Sequence, residues 1–429
     1  LTSILYLGTL AINSLTGGQN FHIIMIALAI FALIITLGGM KVTGYTDVIQ
    51  VVVLIIGGLV TSYIALILVS EKFGFGKDVL AGANQLMEKA PEHFKMIFNK
   101  PTEISSNKEV SNYLDLPGIS MLIAGMWVAN LNYWGCNQYI TQRALGANLE
   151  TARKGILFAA FLKLMMPLIV VVPGIAAYVL HKHGELQTQM QLNGAVSPDN
   201  AYSAILGFLP TGLKGLSMAA LTAAIVASLA GKANSISTIY TLDIYKKYVN
   251  KTATDNKLVL IGRLTVIIAL IIAIVVNWED LLGIGGEGGF IFIQKYTGYI
   301  SPAIFSVFLL GFFWKRTTSK AAVAGILGGV ALMILFDRYL PGIAGRENIL
   351  YTAFQNAQGI YQIPFLVSMG WVFFFTVLLM VIISLLDKKG SKEVNALEVD
   401  TTMFKVSPGI LTMIILIIGV LLALYIKFW

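Results

Sequence analysis

The sequence predicts an all-α membrane protein with about eleven transmembrane helices, and three observations carry that prediction. Of 429 residues, 57% are hydrophobic and only 12% charged, about half the charge of a globular chain. Such a chain has too little polar surface to coat a soluble body. Its apolar residues are grouped into eleven stretches, most of them near the ~20 residues that cross a bilayer core as a helix. Its Lys and Arg residues stand between those stretches in short clusters, as cytoplasmic loops require. The net charge of +8 therefore belongs to loops rather than to one basic face, and no nucleic-acid partner is expected. Collagen-like, disulfide-scaffold and disordered classes are excluded by the same composition. The one cysteine, Cys136, can form no internal disulfide, so cysteine usage says nothing about redox compartment.

The stretches run over 1–16, 21–39, 46–69, 118–143, 152–180, 213–245, 257–277, 289–314, 319–338, 363–386 and 408–428. The first opens inside an apolar run, Leu1 to Leu15, with no charged n-region and no cleavage site, so it is not read as a signal peptide. A membrane helix that begins without a flanking loop reads as the end of a longer, N-terminally truncated chain. If the stretches alternate in direction, four basic clusters fall on one side. These are Arg143 with Arg153 and Lys154; Lys246, Lys247 and Lys251; Lys315, Arg316 and Lys320; and Lys388, Lys389 and Lys392. The opposite side receives the long connections 70–117, 181–212 and 339–362, and the C-terminus is then expected outside. Within the first of those connections, Val79 to Phe98 reads as an amphipathic surface helix. Glycine-rich breaks are expected at Gly283 to Gly289 and at Gly298 before Ser301 and Pro302, with Pro167 and Pro173 inside the fifth stretch. Broken helices at membrane depth are tolerated where they line a cavity.

A polar side chain at that depth is costly and points to function by default. Asn130 lies about 12 residues into the fourth stretch, roughly 18 Å deep, and Lys163 lies roughly 13 Å from the basic side. An amide and an ammonium at similar depth suit a hydroxyl-rich ligand, and the ring of Tyr133 suits the apolar face of a sugar. The opposing reading ties Asn130 to the backbone of a neighbouring helix and Tyr133 to packing. Gln294 either faces a cavity or bonds the irregular backbone beside it. Ser228, Asn234, Ser235, Ser237 and Thr238 make an unusually polar half-helix, most of which reads as interhelical bonding. Lys232, 14 residues before Lys246, is too deep to snorkel easily. Asp47 opens the third stretch, where a carboxylate suits either the helix dipole or a cation route. The G-x-G-x-x-G match at Gly283 to Gly288 has no strand before it and is not a nucleotide loop. Gly325 to Gly329 fits a helix-packing motif. His22, His93, His181 and His183 give no metal-ligand spacing, and no hydrolase arrangement is visible. A channel would need a continuous polar stripe, whereas polarity here is concentrated at mid-depth; an enzyme is not expected.

These residues carry a resemblance. Tyr45-Thr46-Asp47-Val48-Ile49-Gln50 opens the third stretch. The fourth carries Trp127 to Leu131, Tyr133-Trp134-Gly135, Asn137 to Ile140 and Gln142-Arg143. The fifth carries Phe158 to Lys163, the sixth ends in Thr241 to Tyr245, and the eighth ends in Phe308 to Gly311 and Phe313-Trp314-Lys315. Together and in this order they resemble the sodium/solute symporter family, in its bacterial sodium/galactose branch. The resemblance implies a LeuT-like core of two inverted repeats with flanking helices, of which these eleven stretches match the last eleven of fourteen. Residues 1–69 would end the first core repeat, 118–314 would form the second, and 319–429 would be flanking helices. Carried over, Asn130, Lys163 and Gln294 match sugar-contacting positions, Tyr133 a ring that stacks on the sugar and gates the inner side, and Asp47 an acid on the sodium route. Ala224 and Ser228 match two of three sodium-ligand positions on one helix. The third is Ala227, where the family carries a hydroxyl; sodium wants oxygen ligands, so the site departs from the pattern. Lys232, one turn past Ser228, is the candidate for a cation substitute. The expectation is a secondary transporter of the bacterial inner membrane, multi-pass, that imports a small sugar by sodium-coupled alternating access. Its partners are the sugar and the lipid bilayer, with no obligate protein partner evident. The alternative is a sodium-independent or proton-coupled transporter of a sugar, polyol or sugar acid.

Overall fold

The structure, a computed structural model, describes residues 1–38, 40–102, 104–192, 195–286, 288–356, 358–387 and 404–429. Lys388, Lys389 and Lys392, the last basic cluster, lie outside the described residues, as does Glu287 in the glycine-rich segment. In chain order the helices are α1 (Thr2–Leu15), α2 (Phe21–Leu37), α3 (Met40–Lys72), α4 (Val79–Lys89), α5 (Asn107–Asp115), α6 (Gly118–Ile123), α7 (Met126–Leu131), α8 (Gln138–Ala144), α9 (Leu149–Met166) and α10 (Val172–Lys182). They continue as α11 (Ala201–Leu206), α12 (Thr211–Thr238), α13 (Asp255–Trp278), α14 (Gly289–Gly298), α15 (Ser301–Phe313), α16 (Ser319–Ile334), α17 (Leu340–Ile343), α18 (Phe365–Leu386) and α19 (Pro408–Lys427). Two short hairpins decorate the loops, Gln191–Leu192 with Ala195–Val196 and Phe354–Gln355 with Tyr361–Gln362.

All eleven apolar stretches fold as helix. Among the described residues seven helical spans are long and apolar enough to cross a membrane, and two more qualify as bent pairs. The first two stretches form shorter apolar helices of 14 and 17 residues. One stretch departs from the expectation of a single rod. Residues 118–143 break into α6, α7, a π-turn over Asn132–Cys136 and α8, and the axis bends by 83° between Ile123 and Met126. The break expected after Gly298 is present as a 49° bend between α14 and α15. The fifth stretch runs on from Leu149 to Lys182 as one span, its proline absorbed in a π-turn over Pro167–Val171. The 70–117 connection does hold a surface helix. Asp78 caps α4 by accepting from the backbone N–H of Leu80 and Ala81, and Ser106 and Glu109 form a reciprocal capping box at α5.

The chain forms two compact units, 1–94 with 161–290, and 95–160 with 291–429. In the first, α12 packs against α1, α2, α3 and α13 around Leu5, Met25, Leu28, Leu229 and Leu270. α13 shows why this is a membrane body. Its buried residues Leu258, Val266, Leu270, Ala273 and Asn277 recur at helical spacing, yet its exposed face carries Leu260, Leu264, Ile268, Ile271 and Val275. A helix apolar all round is at home in lipid, where close packing and interhelical hydrogen bonds, rather than apolar burial, hold helices together. In the second unit α18 packs on α15 and α16. There the G-x-x-x-G pair is a packing surface: a side chain at Gly325 would meet Met380 at 2.6 Å, and one at Gly329 would meet Ala303 at 2.7 Å. Some buried hydroxyls close on the helix itself, Thr9 donating to the Leu5 carbonyl at 2.7 Å and Ser306 to that of Pro302 at 2.7 Å.

Candidate functional site

Three of the four residues expected at the sugar fall in the second unit. Asn130 is the penultimate residue of the short α7, and its Nδ2 donates to the Met126 carbonyl at 2.9 Å. The amide is thus tethered to its own helix and not to a neighbour, while the side chain stays exposed. Tyr133 sits in the π-turn, its ring 42% exposed and edge-on to Trp134 at 5.7 Å. π-turns recur at functional sites because the extra residue re-aims the side chains that follow. Gln294 lies exposed on α14, whose next turn is fastened by Thr297 donating to the Ile293 and Gln294 carbonyls at 2.7 and 3.1 Å.

Asn132 is the residue that sequence reasoning passed over. Its Nδ2 donates to Ser301 Oγ at 3.1 Å, and Ser301 donates onward to the Thr297 carbonyl at 2.8 Å. The Asn132 Oδ1 is buried with no hydrogen-bond partner. The π-turn is thereby pinned to the first residue of α15. In a straight helix residues two apart point different ways, so a site drawn around Asn130 leaves Asn132 out. The only signal was the second amide itself, in an apolar run.

The remaining candidates belong to the first unit. Lys163 lies exposed near the end of α9. Ala224, Ser228 and Lys232 follow at four-residue steps on α12 and form one face. Ala224 has only its backbone carbonyl to offer a cation, and Ser228 adds a hydroxyl. Ala227 is 5% exposed, so the methyl standing where a hydroxyl was expected is packed in the core. Lys232 is half-buried. Past it, Ser235 and Thr238 donate to carbonyls of their own helix, and Ser237 bridges to the Gly262 carbonyl on α13 at 2.9 Å. Of those three hydroxyls, therefore, one joins two helices. Asp47 is corrected in one respect. α3 begins at Met40 and has no acid in its first turn, so a favourable place on the helix dipole does not account for this carboxylate.

The glycine-rich segment before α14 is held by carboxylates. Asp280 accepts the N–H groups of Ile284 and Gly285 at 2.8 and 2.9 Å. Both oxygens of Asp199, on the 181–212 connection, accept the N–H of Gly289, the first residue of α14, at 3.1 and 3.0 Å. Burial pushes the Asp199 carboxyl above its ordinary range, and the Gly289 N–H opposes that rise. Among the histidines, His22 stacks on Trp278 at 4.3 Å and His183 meets Phe73 edge-on at 5.0 Å.

Broken spans are a recurring feature of membrane transporters, and two are present among the described residues. The model of the sodium:solute symporter family matches residues 1–329 of the chain. The chain belongs to that family. It is 40% identical to a sodium/glucose cotransporter of Vibrio parahaemolyticus over 437 residues, covering 100% of this chain and 74% of that protein. It is 33% identical to a sodium/myo-inositol cotransporter 2 of Mus musculus over 350 residues, 76% of this chain and 49% of that protein. The chain thus spans about half the length of the myo-inositol cotransporters. Among solved structures it is similar to a Na+-coupled sialic acid symporter in a substrate-bound outward-open state, with a TM-score of 0.63 at 20% identity, covering 90% of this chain and 71% of that one. The symporter fold is therefore shared, the LeuT-like architecture included, and the chain is a multi-pass membrane protein of a transporter family.

Proposed function

We propose that the protein imports a small sugar, of glucose or galactose type, by sodium-coupled alternating access. The observation that carries this reading is the broken span at Met126–Cys136, which sets Asn130 and the half-exposed ring of Tyr133 side by side on an interrupted helix. The 40% identity to a sodium/glucose cotransporter supports both the substrate class and the ion. In this mechanism Asn130, Gln294 and Lys163 bond sugar hydroxyls, and Tyr133 stacks on the ring and closes the inner side. Sodium is the co-transported ion. The Ala224 carbonyl and the Ser228 hydroxyl hold it on α12, and Asp47 lies on its route. Its tighter binding to the outward-facing state sets the coupling. Within this scheme 1–69 ends the first core repeat, 118–314 forms the second, and 319–429 are flanking helices.

The relatives named for sodium coupling do not favour the alternative in which Lys232 stands in for the ion. The test is uptake of labelled glucose, galactose and myo-inositol by proteoliposomes of the full chain under inward sodium or potassium gradients. Sodium-stimulated uptake of one of them supports the reading. Uptake of equal rate in potassium overturns the coupling, and no uptake of any of the three overturns the substrate class.

A further inference from the structure

The first unit holds two sizeable cavities of opposite character. One, of about 600 Å³, lies between α3, α9 and α12 and is almost wholly apolar, with the Tyr202 and Ser217 hydroxyls as exceptions. The other, of about 630 Å³, lies where the end of α1 meets the 181–212 connection and the start of α12. It is at the opposite end of α12 from Lys246 and Lys247, the end that the positive-inside rule assigns to the outer side. Its volume is within the ~300–1,000 Å³ of small-molecule sites.

Its lining combines donors, acceptors and one ring. Asn13 is 6% exposed; its Oδ1 accepts the Asn20 N–H at 3.0 Å, so its orientation is fixed with Nδ2 as a donor. Asn200 is 2% exposed; its Nδ2 donates to the Gln191 carbonyl at 3.0 Å, and its Oδ1 is buried with no partner. Gln189 and Ser203 add an amide and a hydroxyl, Lys214 an ammonium, and Phe208, 46% exposed, a ring face. Among the described residues no carboxylate lines the cavity, so it does not suit a cation. A lone ammonium among neutral amides does not make an anion trap. Convergent amides and hydroxyls beside an aromatic face match a neutral, hydroxyl-rich solute, whose ring has polar edges and an apolar face.

We propose that this outer cavity is a second binding site for a monosaccharide or cyclic polyol, separate from the mid-depth residues. As a loading site it rests on the import reading above; as a binding site it does not. The test is equilibrium binding of labelled glucose, galactose and myo-inositol to the purified full chain and to two sets of variants. Asn130→Leu silences the mid-depth site. Phe208→Ala and Gln189→Ala, at exposed positions that leave the core closed, strip the outer one. The expected result is binding of one solute that survives in Asn130→Leu and weakens by about tenfold when Phe208→Ala is added. Absence of binding in Asn130→Leu overturns the proposal. So does residual binding that neither outer variant changes. Phe208-sensitive binding in a protein with no sodium-driven uptake upholds the second site and sinks the import reading instead.

Discussion

At the scale of single residues, Ala227 is the position with the clearest expected gain. It is buried, and serine adds little volume while placing an oxygen beside Ser228. Ala227→Ser is expected to lower the sodium concentration for half-maximal uptake by about fivefold, on the order of 1 kcal/mol; an unchanged midpoint would remove this helix face from the ion site. Lys232→Met is expected to leave uptake dependent on sodium, read as background rates in potassium. Asp199 gives a pH dependence. Burial raises its carboxyl above the ordinary range, so the folded state holds the proton more tightly than the unfolded chain. Its contribution to stability is then fullest below the unfolded value of about 3.9 and is lost as pH rises through the folded value. Thermal unfolding followed from pH 4 upward should show that fall, and Asp199→Asn, which keeps an acceptor for Gly289, should lack it.

At the scale of elements, the break before α7 depends on Gly125. A side chain there would meet the Leu366 carbonyl at 2.3 Å and Met369 Cβ at 2.8 Å. Gly125→Ala is expected to cost about 1–3 kcal/mol, seen as a lower unfolding midpoint, with loss of uptake if the bend positions Asn130. Ser301→Ala would leave the Asn132 amide unpaired as well as its Oδ1, at about 1–3 kcal/mol; an unfolding midpoint equal to the parent's would show that this bond does not fasten the π-turn. The bend was not legible in the sequence. A glycine in a helix costs only about 1 kcal/mol, so an apolar run containing one reads as a rod. It is the backbone of α18, more than 200 residues away, that selects the bent form. The break after Gly298 was legible because Ser301-Pro302 punctuates it locally.

At the scale of the whole molecule, the membrane potential is the decisive variable. One positive charge moved inward per sugar adds about 2.3 kcal/mol per 100 mV, close to a fiftyfold gain in accumulation. With equal sodium on both sides, an inside-negative potassium diffusion potential should therefore drive uptake; no response would mean that no net charge accompanies the sugar.

The eleven apolar stretches, their punctuation by basic clusters and the family were determined by the sequence alone. Each is written in local composition or in contiguous strings, because a bilayer demands apolar length whatever the packing. Only the tertiary structure decided which apolar face meets protein. On α13, Leu270 and Ile271 are adjacent and equally apolar, yet one is core and the other is exposed; in lipid hydrophobicity cannot tell the two apart. The tertiary structure also brought Asn132 to Ser301, and Asn13 and Gln189 to one cavity with Asn200. Those meetings join residues far apart in the chain, and hydropathy carries no record of them.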